Sequence, residues 1–587
     1  MRESDASPNI GTYLADLLES IGVEHYFTVP GDYNLVLLDQ LLKNDRLKMI
    51  GCCNELNAGY AADGYARVKG AAAVVVTFTV GGLSLVNAIA GAYAEDLPVI
   101  VISGGPNSND KAQHHLLHHS TAEYDFDQVS RIFKEITAEA VVIRHIEDAH
   151  RLISLAFEAA ILKRKPVYIE VACNLANVPI PQSVPLRIER RFESNPEALE
   201  AAVEAVANRL NQAAKPALVA GVRLRAAMAT AAFHTLSNLS GYATAIAPNA
   251  KGMFPEDAPH FIGCYWGAAS SPGCAEIMES CDAYLFAGPI FNDYTTAGWS
   301  CNLDRAKLIE VQPDRVVLAE AEYAQVNMQE FFITLSAKIQ PNDAAFQAFK
   351  QTQSDAEPPE AFKEDVKVDM SLSNQAIHEQ VQAMLNADSA LLVETGDSRF
   401  NGQKLMLPPG CLYEFQMQYG SIGWSVGALL GYALALGDNK RAIALIGDGP
   451  FQLTAQAVST MIRYGLNPII FLINNGGYTI EVEIHEGPYN NIQNWDYAGL
   501  INIFNSSEGK GWGQRVTTVG ELSEAIRKAE SHSGLALIEC VIDRDDCTQE
   551  LLDLGSRVAA ANSRHSIALA VGAAELAGNF KHHKALQ

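Results

Sequence analysis

An apolar run, a Gly-Asp-Gly turn, a helix-spaced stretch and a second apolar run follow one another between Arg441 and Asn475 and leave the chain few ways to fold. Arg441 to Ile446 reads as a buried strand that breaks into a tight turn at Gly447-Asp448-Gly449. Phe451, Ala455, Val458, Met461 and Ile462 then recur at helical spacing, Gly465 can stop that helix, and Pro468 to Ile473 reads as a second buried strand. A parallel right-handed crossover delivers both strand ends to one edge of the sheet, so Asp448 and Asn475 converge although they are far apart in sequence. An acid and an amide beside a glycine turn, at a helix start, suit a hard cation bridging to a diphosphate. Mg²⁺ takes oxygen ligands from one or two carboxylates and from phosphate, and the helix N-terminus adds N–H donors for the anion. A Gly-Asp-Gly triplet alone is usually only a turn.

A chain of 587 residues exceeds one hydrophobic core, and at roughly 150 residues per domain three or four domains are expected. The net charge of −25 repels phosphate backbones, no basic run offsets it, and nucleic acid is not an expected partner. Ten cysteines without a CxxC pair fit a reducing, cytoplasmic setting. The first residues, MRESDASPNIG, lack the apolar core of a secretory signal. Ala71 to Ala94 carries no charge, yet it holds Thr77, Thr79, Gly81, Gly82, Ser84 and Asn87 and changes from a β-branched run to helical spacing. It reads as strand, turn and packed helix, not as a membrane span.

Along the chain, apolar strands and helices alternate. Strands are expected at His25–Val29, Leu47–Cys53, Ala71–Val80, Pro98–Ser103 and 166–172, with a helix beginning at Glu55. Such alternation predicts a mostly parallel sheet covered on both faces. The proline-bearing stretch 174–195 reads as a linker, and a second α/β segment follows with strands near 217–222, 283–287 and 308–311. Pro341 to Val368 reads as a second linker, and a third segment from near Ser371 holds the organising stretch. The expected fold is α/β, with three doubly wound, mostly parallel domains over 1–190, 195–350 and 368–587. The outer two are expected to be alike, and the middle one structural or regulatory.

Glu55, in Cys-Asn-Glu-Leu at a strand-to-helix junction, is a carboxylate whose pKa partial burial would raise. In the first turn of a helix such a residue more often serves the dipole. Asp32, in Pro-Gly-Asp-Tyr-Asn, and the pair His118-His119 lie on loops after strands, where sites gather. An Asp after Gly is usually a turn residue and tandem histidines are usually solvated, while no cysteine or carboxylate spacing supports zinc.

Gly-Asp-Gly, 24 intervening residues, Asn474-Asn475 and the continuation GGYTIE resemble the thiamine-diphosphate-dependent 2-oxo-acid decarboxylase family. The resemblance covers about Ile10 to Ser563 and is most specific around Glu55 and from Asp448 to Glu481. It implies thiamine diphosphate and Mg²⁺ as cofactors and the non-oxidative conversion of pyruvate to acetaldehyde and CO₂. It assigns the metal to Asp448, Asn475 and the carbonyl of Gly477. It places Thr395, Gly396, Asp397, Gly420, Ile422, Gly449, Tyr478 and Ile480 at the cofactor, with Ile422 wedged between its two rings. Glu55 holds the pyrimidine N1′ proton, and Asp32, His118, His119 and Glu481 form an acid–base cluster. Ile480, Ile484 and Tyr294 narrow the substrate pocket to a methyl group, and His114 and His115 match nothing in the family pattern. The first and third domains meet across a subunit interface in this family, which implies self-association as a dimer and a homotetramer.

Two positions depart from the pattern. Pro450 stands where Ser is usual, and Arg399 stands where Trp is common. The proline is expected at the first helical position, removing an N–H from the phosphate site, and Arg399 is expected to reach the diphosphate in compensation. Rival readings are a decarboxylase of arylpyruvates or branched-chain 2-oxo acids, an acetolactate-synthase-like carboligase, and a non-catalytic filament-forming relative. The paired isoleucines argue against the first, and His118-His119 with Glu481 argue against the second.

Overall fold

In the computed structural model, which describes residues 8–110, 113–181, 188, 191–355 and 368–561, the alternation closes into three sheets. The first has six strands, from His25–Thr28 to Val167–Ala172, and every pairing is parallel. The third has six, from Ser389–Val393 to Ala536–Val541, again all parallel. Numbered in chain order within each sheet, both run 2-1-3-4-6-5, so the outer domains repeat one topology. The middle sheet has seven strands and ends in an antiparallel edge, Arg315–Val317 and Glu322–Ala324. A two-residue turn at Pro313-Asp314 pairs Gln312 with Arg315 and stops the parallel growth there.

Several expectations are corrected. The helical spacing after Gly-Asp-Gly belongs to two short helices, Asp448–Thr454 and Ala457–Arg463, which together bury Phe451, Val458, Met461 and Ile462. The supposed linker 341–368 begins with a helix, Ala344–Asp355. Ala345 is fully buried in the middle-domain core, with Phe346 and Phe349 packed on it. Residues 356–367 of that linker, 182–187 and 189–190 of the other, and both chain ends, 1–7 and 562–587, lie outside the described residues. Short strands at Glu139–Ile143, Ala243–Ile246, Phe261–Cys264, Leu412–Glu414 and Trp512–Val516 complete the sheets without a strong pattern of their own. The uncharged stretch 71–94 is a buried central strand, Ala72–Val76, and a helix, Val80–Ala94. Among the described residues, no helix is long and apolar enough to cross a membrane.

The first and third domains share one apolar core through the helices Glu55–Lys69 and Trp424–Leu436. Gly64 and Gly431 permit the approach: a Cβ on Gly64 would lie 2.0 Å from the Ala428 carbonyl oxygen, and one on Gly431 1.7 Å from that of Ala61. Beside this seam Arg67 pairs with Asp63 at 2.7 Å, Glu414 at 3.1 Å and Glu95 at 3.4 Å, and Arg225 of the middle domain reaches Glu414 at 2.6 Å. Removing one partner of such a buried network typically costs about 3–5 kcal/mol. It fixes the three domains against one another.

Candidate active site

The strands Arg441–Gly447 and Ile469–Asn474 are parallel neighbours, with Gly447 opposite Ile473. Asp448 and Asn475 therefore leave the same sheet edge, as the crossover rule required. Asp448 is 1% exposed; its Oδ1 accepts the Gly449 N–H and its Oδ2 the Gly476 N–H, both at 2.7 Å. Burial outweighs these donors and pushes its carboxyl up to about 6. The Asn475 amide nitrogen donates to Thr479 Oγ1, which leaves the amide oxygen for a ligand. The Tyr478 ring packs so tightly on Gly449 that a Cβ there would meet it at 2.3 Å.

These groups open into a cavity of about 370 Å³. Its wall holds Thr395, Gly396, Asp397, Gly420, Ile422, Asp448, Asn475, Gly477, Tyr478, Ile480, Glu481 and Ile484 of the third domain and Tyr294 of the second. The structure thus gathers most of the sequence-read residues. Ile480, Glu481 and Ile484 sit on a short helix, Thr479–Ile484, and Leu554 and Gly555 of the helix Gln549–Ala561 face the same space. No pattern in the sequence marked those last two. Asp397 is spent locally: its Oδ1 accepts from Thr548 Oγ1 at 2.5 Å and its Oδ2 from Asn374 Nδ2 at 3.0 Å. Burial raises it to about 6.

Glu394 supports the site from behind the cavity wall, a role that its place in the Glu394–Ser398 loop did not disclose. Fully buried at the end of a central strand, it accepts hydrogen bonds from Thr395 N, Gly423 N, Ser425 N and Ser425 Oγ. It thereby fixes the turn that carries Ile422. Burial raises its pKa to about 7. An acid ending an otherwise apolar strand was the available signal.

Two sequence readings are corrected here. Arg399 does not reach the cavity wall; it is 0% exposed, under the rings of Trp266 and Tyr294 at 4.2 and 4.5 Å. Pro450 lines the cavity, but at the third position of the helix Asp448–Thr454, not the first. The N–H it lacks is still one that no intrahelical bond would use. Pro450→Ser should tighten thiamine diphosphate binding by about tenfold or more, the worth of one hydrogen bond to a charged group. With Arg399→Trp the effects should add within about 0.5 kcal/mol, since Arg399 does not contact the position. A double-mutant cycle on calorimetric Kd values checks both statements.

Glu55 and the histidines fall elsewhere. All described residues of the cavity wall come from the second and third domains. Glu55 begins the helix Glu55–Lys69 in the first domain, where burial raises its pKa, and its Oε1 lies near Gly81. Asp32 Oδ2 lies 2.7 Å from His118 Nε2, and Oδ1 lies 3.5 Å from His119 Nε2; the two imidazole rings are 4.6 Å apart. These three groups lie together on a partly exposed loop surface, whereas Glu481, the fourth member of the expected cluster, lines the cavity of the third domain. His115 instead pairs with Asp110 at 3.1 Å.

The family model for the thiamine pyrophosphate enzyme N-terminal TPP binding domain matches residues 8–129, that for the central domain 203–331, and that for the C-terminal TPP binding domain 394–540. The chain is 53% identical over 568 residues to pyruvate decarboxylase 2 of Oryza sativa subsp. indica, covering 96% of this chain and 93% of that one. It is 53% identical over 566 residues to pyruvate decarboxylase 3 of Arabidopsis thaliana, covering 95% of each. A solved Mycobacterium smegmatis protein, described as a thiamin diphosphate-dependent enzyme, superposes with a TM-score of 0.72 at 19% identity. That match covers 91% of this chain and 99% of that one, and it speaks for the fold.

Proposed function

Because the chain belongs to the pyruvate decarboxylase family of thiamine pyrophosphate enzymes, we propose that it converts pyruvate to acetaldehyde and CO₂ with thiamine diphosphate and Mg²⁺. The observation that carries the reading is the buried Asp448 carboxylate beside Asn475 and Gly477, opening into a cavity walled by Ile480 and Ile484. The donor set suits the group: a carboxylate, an amide oxygen and a carbonyl are hard ligands for Mg²⁺, and the volume lies in the range of cofactor sites. When bound, thiamine diphosphate supplies the electron sink that lets a 2-oxo acid lose CO₂.

The chain's own residues do the rest. Asp448, Asn475 and the Gly477 carbonyl would hold the metal, and the helix start at Asp448 would hold the diphosphate, with Gly449 packed under the Tyr478 ring and not in the cavity wall. Ile422, held by the Glu394-anchored turn, would pack against the bound cofactor. Ile480 and Ile484 admit a methyl group and keep water out. Glu481 faces the cavity, and Asp32, His118 and His119, which lie together away from it in this chain, would deliver and remove protons there from a second copy. Since no described first-domain residue lines the cavity, Glu55 and that cluster come from a second copy, and the working unit is at least a dimer. We assign the homotetramer and a cytoplasmic location on the same footing, the latter supported by ten unpaired cysteines.

The test is CO₂ release from pyruvate by protein loaded with thiamine diphosphate and Mg²⁺. Release from arylpyruvates or branched-chain 2-oxo acids in preference to pyruvate, or no release at all, overturns the reading. The isoleucines give a sharper expectation. Ile480→Ala should raise kcat/KM for 2-oxopentanoate relative to pyruvate by about tenfold or more, because one methylene in an apolar pocket is worth about 1–3 kcal/mol. An unchanged ratio would show that these side chains only pack.

A further inference from the structure

Among the described residues, Arg399 is buried without a counter-ion. Its guanidinium carbon sits over Trp266 and Tyr294, with Phe415 at 5.2 Å and Phe400 at 5.4 Å. Nη2 donates to Met417 Sδ at 3.3 Å, while Nε and Nη1 have no hydrogen-bond partner among the described residues. A guanidinium stays charged at any pH a folded protein meets. The ring faces attract it through their quadrupoles, but they carry no net charge to cancel its own. The charge therefore stands in a dry seam between the second and third domains.

That seam is also the back of the cavity. Tyr294 and Met417, both in contact with the guanidinium, line the cavity, as does the neighbouring Ser398. The described wall carries four acids, Asp293, Asp397, Asp448 and Glu481, and no lysine, arginine or histidine. With Asp448 assigned to the metal and Asp397 bonded to Thr548 and Asn374, Asp293 and Glu481 remain to repel a carboxylate. A positive charge one layer of side chains behind the wall, unscreened by water, opposes that repulsion.

We propose that Arg399 sets the charge preference of the cavity, selecting a small carboxylate-bearing carbonyl compound over a neutral one of the same shape. The carboxylate is that of the 2-oxo acid, an identity that rests on the decarboxylase reading. The tryptophan common at this position would fill the same apolar seam without the field.

Methyl pyruvate, in which esterification removes the charge, is the neutral probe. In Arg399→Met, KM for pyruvate should rise about tenfold, the effect of one unit charge at close range and intermediate dielectric, with the loss falling on KM and not on kcat. The inhibition constant of methyl pyruvate should move less than about twofold, since an uncharged ligand does not feel a unit charge so strongly. Equal changes for pyruvate and methyl pyruvate would mean that Arg399 merely supports Tyr294, and would overturn the proposal. If Arg399→Met does not fold, Arg399→Gln answers the same question, and a wild-type ratio there overturns it as well. If wild-type protein releases no CO₂, the decarboxylase reading falls separately. Calorimetric Kd values for pyruvate and methyl pyruvate then decide the inference.

Discussion

Asp448→Asn should raise the Kd for thiamine diphosphate in the presence of Mg²⁺ by at least about 100-fold, the upper range for losing even an indirect metal contact. The side chain keeps its shape, so the loss is one of charge and of a hard oxygen. In the unliganded protein the change is nearly balanced. The buried carboxylate, pushed up to about 6, is mostly ionised at neutral pH and pays for desolvation there. The amide relieves that cost but leaves one of the two backbone donors, Gly449 N–H or Gly476 N–H, without an acceptor, at about 1–3 kcal/mol. The melting temperature of the unliganded variant should therefore stay close to wild type, while the extra stabilisation that cofactor and metal give the wild type disappears. Calorimetric titration and melting curves with and without Mg²⁺ read both. Wild-type cofactor affinity in the variant would remove Asp448 from the metal site.

The convergence of Asp448 and Asn475 was legible in sequence because it follows from period and handedness alone. Two apolar runs flanking a helical pattern allow little except a parallel crossover. Ile480 and Ile484 came only from the family resemblance; they lie one helical turn apart in Thr479–Ile484 and both line the cavity. Arg399 shows where this reasoning ends. Placing it beside the Glu394–Ser398 loop was correct, but successive side chains on a helix diverge by about 100°. In the helix Asp397–Lys404, Ser398 faces the cavity and Arg399 turns into the aromatic seam. The direction depended on Trp266 and Tyr294, which are remote in sequence and belong to another domain. Pro450 was misplaced by two positions, since helix starts are poorly fixed by pattern. The helix Ala344–Asp355 was lost because its apolar face is carried by few residues and polar, proline-bearing sequence follows it. The separation of Glu55 from the cavity within one chain was not readable from local pattern. It depends on how two like domains are set against each other, which the sequence expressed only through Gly64, Gly431 and the residues that pack at that seam.

Glu55→Gln should lower kcat by about 100-fold or more, the usual cost of losing a positioned acid–base group, with cofactor Kd nearly unchanged. The substitution keeps the side chain's size at the start of its helix, where burial already favours the protonated form, but removes the capacity to give and take a proton. The variant also tests where the site lies. If each site joins Glu55 of one copy to Asp448 of another, a heterodimer of Glu55→Gln and Asp448→Asn chains holds one site with both defects and one with neither. Equal co-expression makes half of the dimers mixed, so activity should recover to about a quarter of wild type although each variant alone is inactive, as a two-fold symmetric interface requires. A site built within one chain gives no recovery, because every chain then carries a defect of its own. Activity of the co-expressed mixture at the level of the separate variants would exclude the shared site. Wild-type kcat in Glu55→Gln alone would exclude Glu55 from the proton's path.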